Sequence, residues 1–306
     1  MVWSLNHLSL AYPSKETHDM PEHISTLISA TEALEAQKAP GASPLFVDCR
    51  FDLYDPDAGR QQYEQSHIPG SVHADLDADL SGPVGDGSRG RHPLPTPEAF
   101  GATLREWGLH PGRLVIAYDA GPGMFASRLW WMLHWVGHRQ AAVLDGGLHA
   151  WRQAGGTITD AVSDVATGSF MSRANPDMTV DVHYVEALLE NVSYMLVDAR
   201  DNERFAGTKS AFDPKSGHIP GAINHPYQSN LDASGAMLSP EQLKEQFARS
   251  CAGGVNSDTV MYCGSGVSAC HNILAAVHAG LPWPLLYPGS WSEWSSHPDR
   301  PVATGG

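Results

Sequence analysis

The chain has 306 residues, of which 42% are hydrophobic and 17% are charged, a composition that is typical of a folded globular protein and excludes a disordered one. This length predicts about two domains, each large enough to bury a core without a disulfide framework. The formal net charge of −15 disfavours binding to nucleic acid or to an anionic membrane, because like charges repel. A site for an anion must therefore supply its own positive charge.

The four cysteines, Cys49, Cys251, Cys263 and Cys270, lack the paired spacing of a zinc site. Unpatterned cysteines in a chain of this length favour a reducing compartment. The first residues have neither the basic segment nor the apolar run of a signal peptide, and no apolar stretch is long enough to cross a bilayer. We therefore expect a cytoplasmic protein that needs no metal and does not associate with membranes.

In the first half of the chain, short apolar runs alternate with helical patterns. The runs occupy residues 45–48, 114–118 and 141–144. A helix is predicted to begin after Thr96, because threonine is a good N-cap and Pro97 fits the first helical position.

The second half repeats this order. Its apolar runs occupy residues 195–198, 259–262 and 284–287. A Ser-Pro-Glu-Gln capping box predicts a helix that begins after Ser239, and residues 269–279 have the apolar content of a buried helix. Apolar strands that alternate with helices predict a parallel sheet covered on both faces.

Short motifs also recur in the same order in the two halves. His-Ile-Pro-Gly occurs at residues 67–70 and again at 218–221, and a Val-Asp-x-Arg motif precedes it at residues 47–50 and 197–200. Such a pattern indicates a duplicated domain, since solenoid repeats are much shorter. The Ser-, Thr-, Asp- and Gly-rich segment 161–176 is predicted to be the linker.

Chemistry is predicted in the segment that follows the strand at residues 259–262. Residues 263–269 read Cys-Gly-Ser-Gly-Val-Ser-Ala and lead into the predicted helix. The two glycines allow a tight loop whose N–H groups converge on the sulfur, and the helix N-terminus adds the positive end of its dipole. Both effects favour the nucleophilic thiolate of Cys263. The first half has Asp119 at the corresponding position, and a carboxylate cannot carry a sulfane sulfur.

This loop, the two His-Ile-Pro-Gly motifs and the Gly-Ser-Trp-Ser-Glu-Trp segment at residues 289–294 resemble the tandem rhodanese-domain sulfurtransferases. The resemblance extends over residues 24–302. It implies an α/β fold with two rhodanese-like domains, each a mainly parallel sheet flanked by helices. The implied domains are a non-catalytic one over residues 22–160 and a catalytic one over residues 178–303.

The resemblance implies that Cys263 accepts sulfur from a small anionic donor as a persulfide and passes it to a thiol, such as thioredoxin, or to cyanide, without a cofactor. Gly-Ser after the cysteine resembles 3-mercaptopyruvate sulfurtransferases, whereas thiosulfate sulfurtransferases usually have basic residues there. Arg204 matches an arginine that binds the donor carboxylate. The second arginine that is usual in the mercaptopyruvate enzymes is missing, and Lys209 or Lys215 is a candidate replacement.

The mercaptopyruvate enzymes also have a Ser-His-Asp arrangement, which Ser265, His92 and Asp77 match. In such an arrangement the carboxylate orients the imidazole, which moves a proton through the hydroxyl. The remaining residues implied to bind the donor and the transferred sulfur belong to the loop: Gly264, Gly266, Val267, Ser268 and Ala269.

Three alternatives remain. A thiosulfate-specific enzyme would share the fold and the nucleophile. A cysteine phosphatase or arsenate reductase would need an arginine at position 269, which is alanine. A non-catalytic rhodanese-like binding module would have lost the cysteine in both halves, yet Cys263 is present.

Several polar residues recur in both halves, including the half without a nucleophile, and we therefore expect them to support the fold. They are Asp48, Arg50 and His67 in the first half and Asp198, Arg200 and His218 in the second.

Overall fold

The computed structural model describes residues 26–39, 43–190, 194–209, 212–251 and 253–306. The predicted start of the first domain at residues 22–25 and the N-terminal segment without a signal-peptide pattern lie outside the described residues.

The first half folds around a five-stranded parallel sheet with the strand order β1-β5-β4-β2-β3. Its strands are β1 (Leu27–Ile28), β2 (Leu45–Asp48), β3 (Val72–His73), β4 (Val115–Tyr118) and β5 (Ala141–Leu144). Its helices are α1 (Ala30–Lys38), α2 (Ala58–Gln65), α3 (Pro97–Glu106), α4 (Met124–Trp135) and α5 (Gly147–Gln153).

The second half has the same alternation of strands and helices, around a four-stranded parallel sheet in the order β7-β6-β8-β9. Its strands are β6 (Leu196–Asp198), β7 (Ile223–Asn224), β8 (Val260–Tyr262) and β9 (Leu285–Leu286). Its helices are α6 (Val182–Leu188), α7 (Asn202–Ala206), α8 (Pro240–Ser250), α9 (Ser268–His278) and α10 (Ser290–Ser296). The predicted α/β fold with two domains is confirmed.

The predicted helix starts have the expected caps. Thr96 accepts a hydrogen bond from the amide of Ala99, and Ser239 forms the capping box with Gln242. The strands β1, β3 and β7 were not predicted, because each has two residues and none lies within a longer apolar run, as the two-residue strand β9 does.

The recurrent polar residues make equivalent contacts in the two domains. Arg50 forms a buried two-pronged pair with Asp48, and Arg200 forms the same pair with Asp198. The imidazoles of His67 and His218 each bind the carbonyl oxygen at the end of a preceding helix segment. These contacts support the structural role expected for these residues.

The two domains pack through α4 and α9, which are both apolar and largely buried. A single apolar core contains side chains of both helices and of both sheets. Because α9 follows the carboxyl end of β8, this packing places the loop after β8 against the first domain.

Candidate active site

Cys263 is the first residue after β8, and the start of α10 fixes its backbone. Its amide donates to the hydroxyl of Ser290 (3.1 Å), and its carbonyl accepts from the amide of Trp291 (3.0 Å). Ser290 has a φ of 54°, which a non-glycine residue adopts only at some cost, and in this conformation its hydroxyl accepts from the Cys263 amide. Only 2% of Cys263 is exposed, and it borders a cavity of about 250 Å³.

The loop after Cys263 presents unpaired amides to this site. Gly266 has a φ of +79°, and a Cβ there would lie 2.5 Å from the carbonyl oxygen of Pro288, so that glycine is required. In the described part of the chain, the amides of residues 264–269 donate to no protein acceptor, and Val267 does not cap α9 with its side chain. Free N–H groups at a helix N-terminus form a binding site for an anion.

The corresponding loop of the first domain shows what such amides bind. The carboxylate of Asp119 accepts hydrogen bonds from the amides of Gly121 and Gly123 (both 3.0 Å), Phe125 (3.1 Å) and Ala126 (3.4 Å). Burial raises the pKa of Asp119, and the four amide bonds oppose that shift. In this domain a fixed anion of the chain itself occupies the amide cradle.

The structure brings the predicted Ser-His-Asp residues together across the domain interface. The Nδ1 atom of His92 lies 2.7 Å from the hydroxyl oxygen of Ser265, and its Nε2 atom lies 3.2 Å from a carboxylate oxygen of Asp77. An ionised carboxylate only accepts hydrogen bonds, so the tautomer that suits both neighbours has the proton on Nε2 and lets Nδ1 accept from the Ser265 hydroxyl.

The imidazole of His92 is held in its neutral form. Burial, together with the positive charges of Arg128 and Arg91, lowers the pKa of His92 to about 3. The side chain of Asp77 is 51% exposed, so that water screens its opposing charge. Burial and the nearby Asp75 raise the pKa of the Asp77 carboxyl.

Arg204, the predicted donor-binding residue, lies on α7 and borders the same cavity. The carboxylate of Asp201 caps this helix by accepting a hydrogen bond from the amide of Arg204 (2.9 Å), which fixes the position of the Arg204 backbone. The guanidinium lies 4.0 Å from the Asp201 carboxylate, a distance too long for a hydrogen bond. Arg204 therefore has donors available for a ligand in the cavity.

The two lysines considered as replacements for a second arginine differ in position. Lys209 borders the cavity and pairs with Glu203 at 3.5 Å. The prediction for Lys215 is wrong. The ammonium of Lys215 donates to the backbone carbonyls of His297, Pro298 and Arg300 in the turn after α10. Lys215 therefore stabilises this turn and does not border the cavity.

Sequence reasoning missed two arginines of the first domain. Arg91 borders the cavity, and the signal for it was its position directly before His92. Arg128 lies fully buried on α4, between the domains, and donates to the carbonyl oxygens of Gly266, His92 and Leu80. No sequence signal distinguished Arg128 from a surface charge.

Over the described ranges, no group of three or more His, Cys, Asp or Glu side chains is arranged to hold a metal ion. No helix within those ranges has the length and apolarity needed to cross a membrane. All four cysteines are buried and free of disulfides.

Comparison with known proteins agrees with this geometry. A model of the rhodanese-like domain matches residues 29–154 and 181–297. A Pseudomonas aeruginosa protein named "Probable 3-mercaptopyruvate sulfurtransferase" is 47% identical over 262 residues, which cover 85% of this chain and 92% of that protein. The Arabidopsis thaliana "Thiosulfate/3-mercaptopyruvate sulfurtransferase 2" is 33% identical over 79% of this chain and 76% of its own length.

Among solved structures, the 3-mercaptopyruvate sulfurtransferase from Leishmania major superimposes with a TM-score of 0.79 at 31% identity, covering 90% of this chain and 76% of that one. With two matched rhodanese-like domains and relatives of this kind, the chain belongs to the tandem rhodanese-domain sulfurtransferases.

Proposed function

We propose that the protein moves a sulfur atom from 3-mercaptopyruvate, through a persulfide on Cys263, to a thiol or to cyanide. The observation that carries this assignment is the contact between Ser265 and His92, because only a donor whose leaving group needs a proton benefits from it. In this assignment the domain predicted over residues 178–303 is catalytic, and the domain predicted over residues 22–160 contributes His92 and Asp77.

Binding of the donor relies on charge. The chain is strongly acidic, but the cavity wall contains Arg91, Arg200, Arg204 and Lys209. Arg200 is already paired with Asp198, whereas the ion-pair contact of Arg204 within the described residues is the 4.0 Å approach to Asp201. Arg204 therefore binds the donor carboxylate, since a guanidinium offers two parallel N–H donors to a carboxylate.

The sulfur transfer balances without an external acid or base. The thiolate of Cys263 attacks the donor sulfur, the new S–S bond forms as the C–S bond breaks, and the enolate of pyruvate departs. The proton that begins on the donor sulfur ends on the methyl carbon of pyruvate. Ser265 can carry this proton, because its hydroxyl gives its own proton to the carbon as it takes the one from the sulfur, and the neutral His92 orients that hydroxyl through Nδ1.

The product of this step is a persulfide whose terminal sulfur is an anion. The amides of residues 264–269 donate to no acceptor among the described residues and are therefore available to this anion, and the N-terminus of α9 adds its dipole. Gly264, Gly266, Val267, Ser268 and Ala269 act here through their backbone N–H groups. The cradle around Asp119 in the first domain supports this assignment, because it binds an anion with the same kind of donors.

A second thiol then removes the sulfur, and we propose a protein thiol of the thioredoxin type as the acceptor. The free, unpaired state of all four cysteines supports a reducing compartment such as the cytoplasm.

Thiosulfate is the second candidate donor, and the name of the Arabidopsis relative favours it alongside 3-mercaptopyruvate. Its leaving group, sulfite, needs no proton at neutral pH. It therefore gains nothing from Ser265 and His92.

The experiment compares the two donors in one set of variants. Intact mass after incubation with 3-mercaptopyruvate should show one added sulfur on the wild type and on the control Cys251→Ala, and none on Cys263→Ser. Ser265→Ala and His92→Ala should lower kcat/KM for 3-mercaptopyruvate by about 100-fold, the typical contribution of a positioned acid–base group, and leave thiosulfate turnover nearly unchanged. A higher kcat/KM for thiosulfate, with both variants neutral, would refute the assignment of the donor.

A further inference from the structure

The first domain contributes an arginine to the cavity in addition to His92. The segment at residues 90–92 is seated on the second domain by three contacts. Gly90 packs so closely on the Gly289 carbonyl that a Cβ on Gly90 would lie 2.6 Å from the carbonyl oxygen. The amide of Arg91 donates to the Ser292 hydroxyl (3.1 Å). The third contact is the one between His92 and Ser265. The backbone of Arg91 is therefore fixed next to the nucleophile's loop.

The guanidinium of Arg91 has two differently directed ends. One Nη atom donates to the carboxylate of Asp213, and the group lies 5.2 Å above the ring of Phe212. The other end points at Gly264. A Cβ built on Gly264 would lie 3.1 Å from Nη2 of Arg91 and 2.7 Å from Nη2 of Arg204. Two guanidiniums from different domains thus converge on the residue that follows Cys263.

Two cations that converge on one residue repel each other. The carboxylate of Asp213 accepts a hydrogen bond from Nη1 of Arg91, and the Asp213 side chain is only 6% exposed. This contact holds the arginine in place and leaves Nη2 available for a ligand. An anion between Arg91 and Arg204 would remove the repulsion and receive donors from both. Glycine at position 264 leaves the space for this approach, whereas a basic side chain there would displace both groups.

We propose that Arg91 is a donor-binding residue that, together with Arg204, clamps the carboxylate of a 2-oxo-3-thiol acid across the domain interface. This inference rests on the proposed function and deepens it. Arg91 takes the place of the second arginine that is missing after Arg204. The consequence is that the non-catalytic domain determines which donor binds, as well as supplying the proton relay.

The test compares Arg91→Met with Arg91→Lys and with the control Arg89→Met. Arg89 lies on the same loop and donates to the Pro83 carbonyl without bordering the cavity. We expect Arg91→Met to raise KM for 3-mercaptopyruvate by about 10- to 100-fold, the value for a lost charge-assisted hydrogen bond, with kcat changed less than about threefold. Arg91→Lys should give a smaller rise, and Arg89→Met none.

A second measurement separates this inference from the choice of donor. Binding of pyruvate, which carries the same carboxylate and keto group, is measured by calorimetry in a Cys263→Ser background, with and without Arg91→Met. Weaker pyruvate binding in the double variant supports the clamp even if thiosulfate proves to be the better donor. Unchanged pyruvate affinity together with an unchanged KM would overturn the role of Arg91 and leave the assignment of the donor intact. If Arg91→Met does not fold, Arg91→Lys decides by the same two measurements.

Discussion

Replacement of Arg128 by methionine tests whether one buried cation holds the proposed catalytic residues in their relative positions. Its guanidinium donates to the carbonyls of Gly266 in the nucleophile's loop (3.1 Å), of His92 in the relay (3.1 Å) and of Leu80, shortly after Asp77 (3.3 Å). It therefore connects the three segments that carry the proposed catalytic residues. We infer that Arg128 is a positioning residue that acts without touching the donor.

Two opposing effects determine the stability of Arg128→Met. Loss of three bonds from a charged donor costs about 1.5–3 kcal/mol each. Removal of a buried charge returns several kcal/mol, since within the described ranges Arg128 forms no ion pair and burial lowers its pKa. These effects are of similar size, and we expect a shift of at most about 2 kcal/mol in the free energy of unfolding.

Catalysis should respond much more strongly than stability. A displacement of about 1 Å in reacting groups can reduce a rate about 100-fold, and Gly266 and His92 lose their common anchor in this variant. We therefore expect kcat for 3-mercaptopyruvate to fall about 100-fold and KM to change less than about threefold.

Steady-state kinetics and thermal unfolding check this expectation. Arg105→Met is the control, because Arg105 also donates to a backbone carbonyl, that of Phe170, but lies away from the site. An unchanged kcat in a folded Arg128→Met variant would refute the positioning role. So would a kcat loss that Arg105→Met reproduces.

Three further predictions follow from the same structure. Arg204→Ala should raise KM for the donor by the equivalent of about 2–4 kcal/mol of binding, and unchanged kinetics would assign the carboxylate to Arg91 or Lys209 instead. Burial lowers the pKa of His92 and His134 to about 3 and of His271 to about 4, so that below pH 6.5 the unfolded chain binds more protons than the folded one. The free energy of unfolding should therefore fall with decreasing pH, and these three histidines contribute up to about 4 kcal/mol per pH unit to that slope. His134→Phe should reduce the slope by about 1.4 kcal/mol per pH unit in pH-dependent denaturation, and an unchanged slope would contradict the assignment. Asp119→Ala should destabilise the first domain and make its stability depend on added carboxylate.

The sequence predicted the parts of the site that belong to continuous motifs. Cys263, its glycine-rich loop and the helix after it are adjacent in the chain, so a local pattern was enough to identify them. Arg204 and the partners of Ser265 were found only through resemblance to a family, because His92 and Asp77 come from the other domain. No local pattern joins residues so distant in the chain.

The missed residues depend on packing between the domains. Arg128 belongs to an apolar helix, and its importance follows from complete burial against α9, which no periodicity reports. The choice of Lys215 failed for the same reason, since three backbone carbonyls of a later turn bind its ammonium. Which charge faces the donor is thus decided by tertiary contacts rather than by spacing from Arg204.

The first domain offers a test of the amide cradle that is independent of turnover. In Asp119→Ala the amides of Gly121, Gly123, Phe125 and Ala126 lose their common acceptor, and each buried N–H group without a partner costs about 1–3 kcal/mol. Formate supplies the missing carboxylate from solution, so it should raise the melting temperature of Asp119→Ala while leaving the wild type unaffected, because only the variant has an open site for it. Chloride at equal ionic strength controls for screening. If formate stabilised both proteins equally, the loop amides would not form an anion site. The same geometry could then no longer be used to argue that the loop after Cys263 stabilises a persulfide anion.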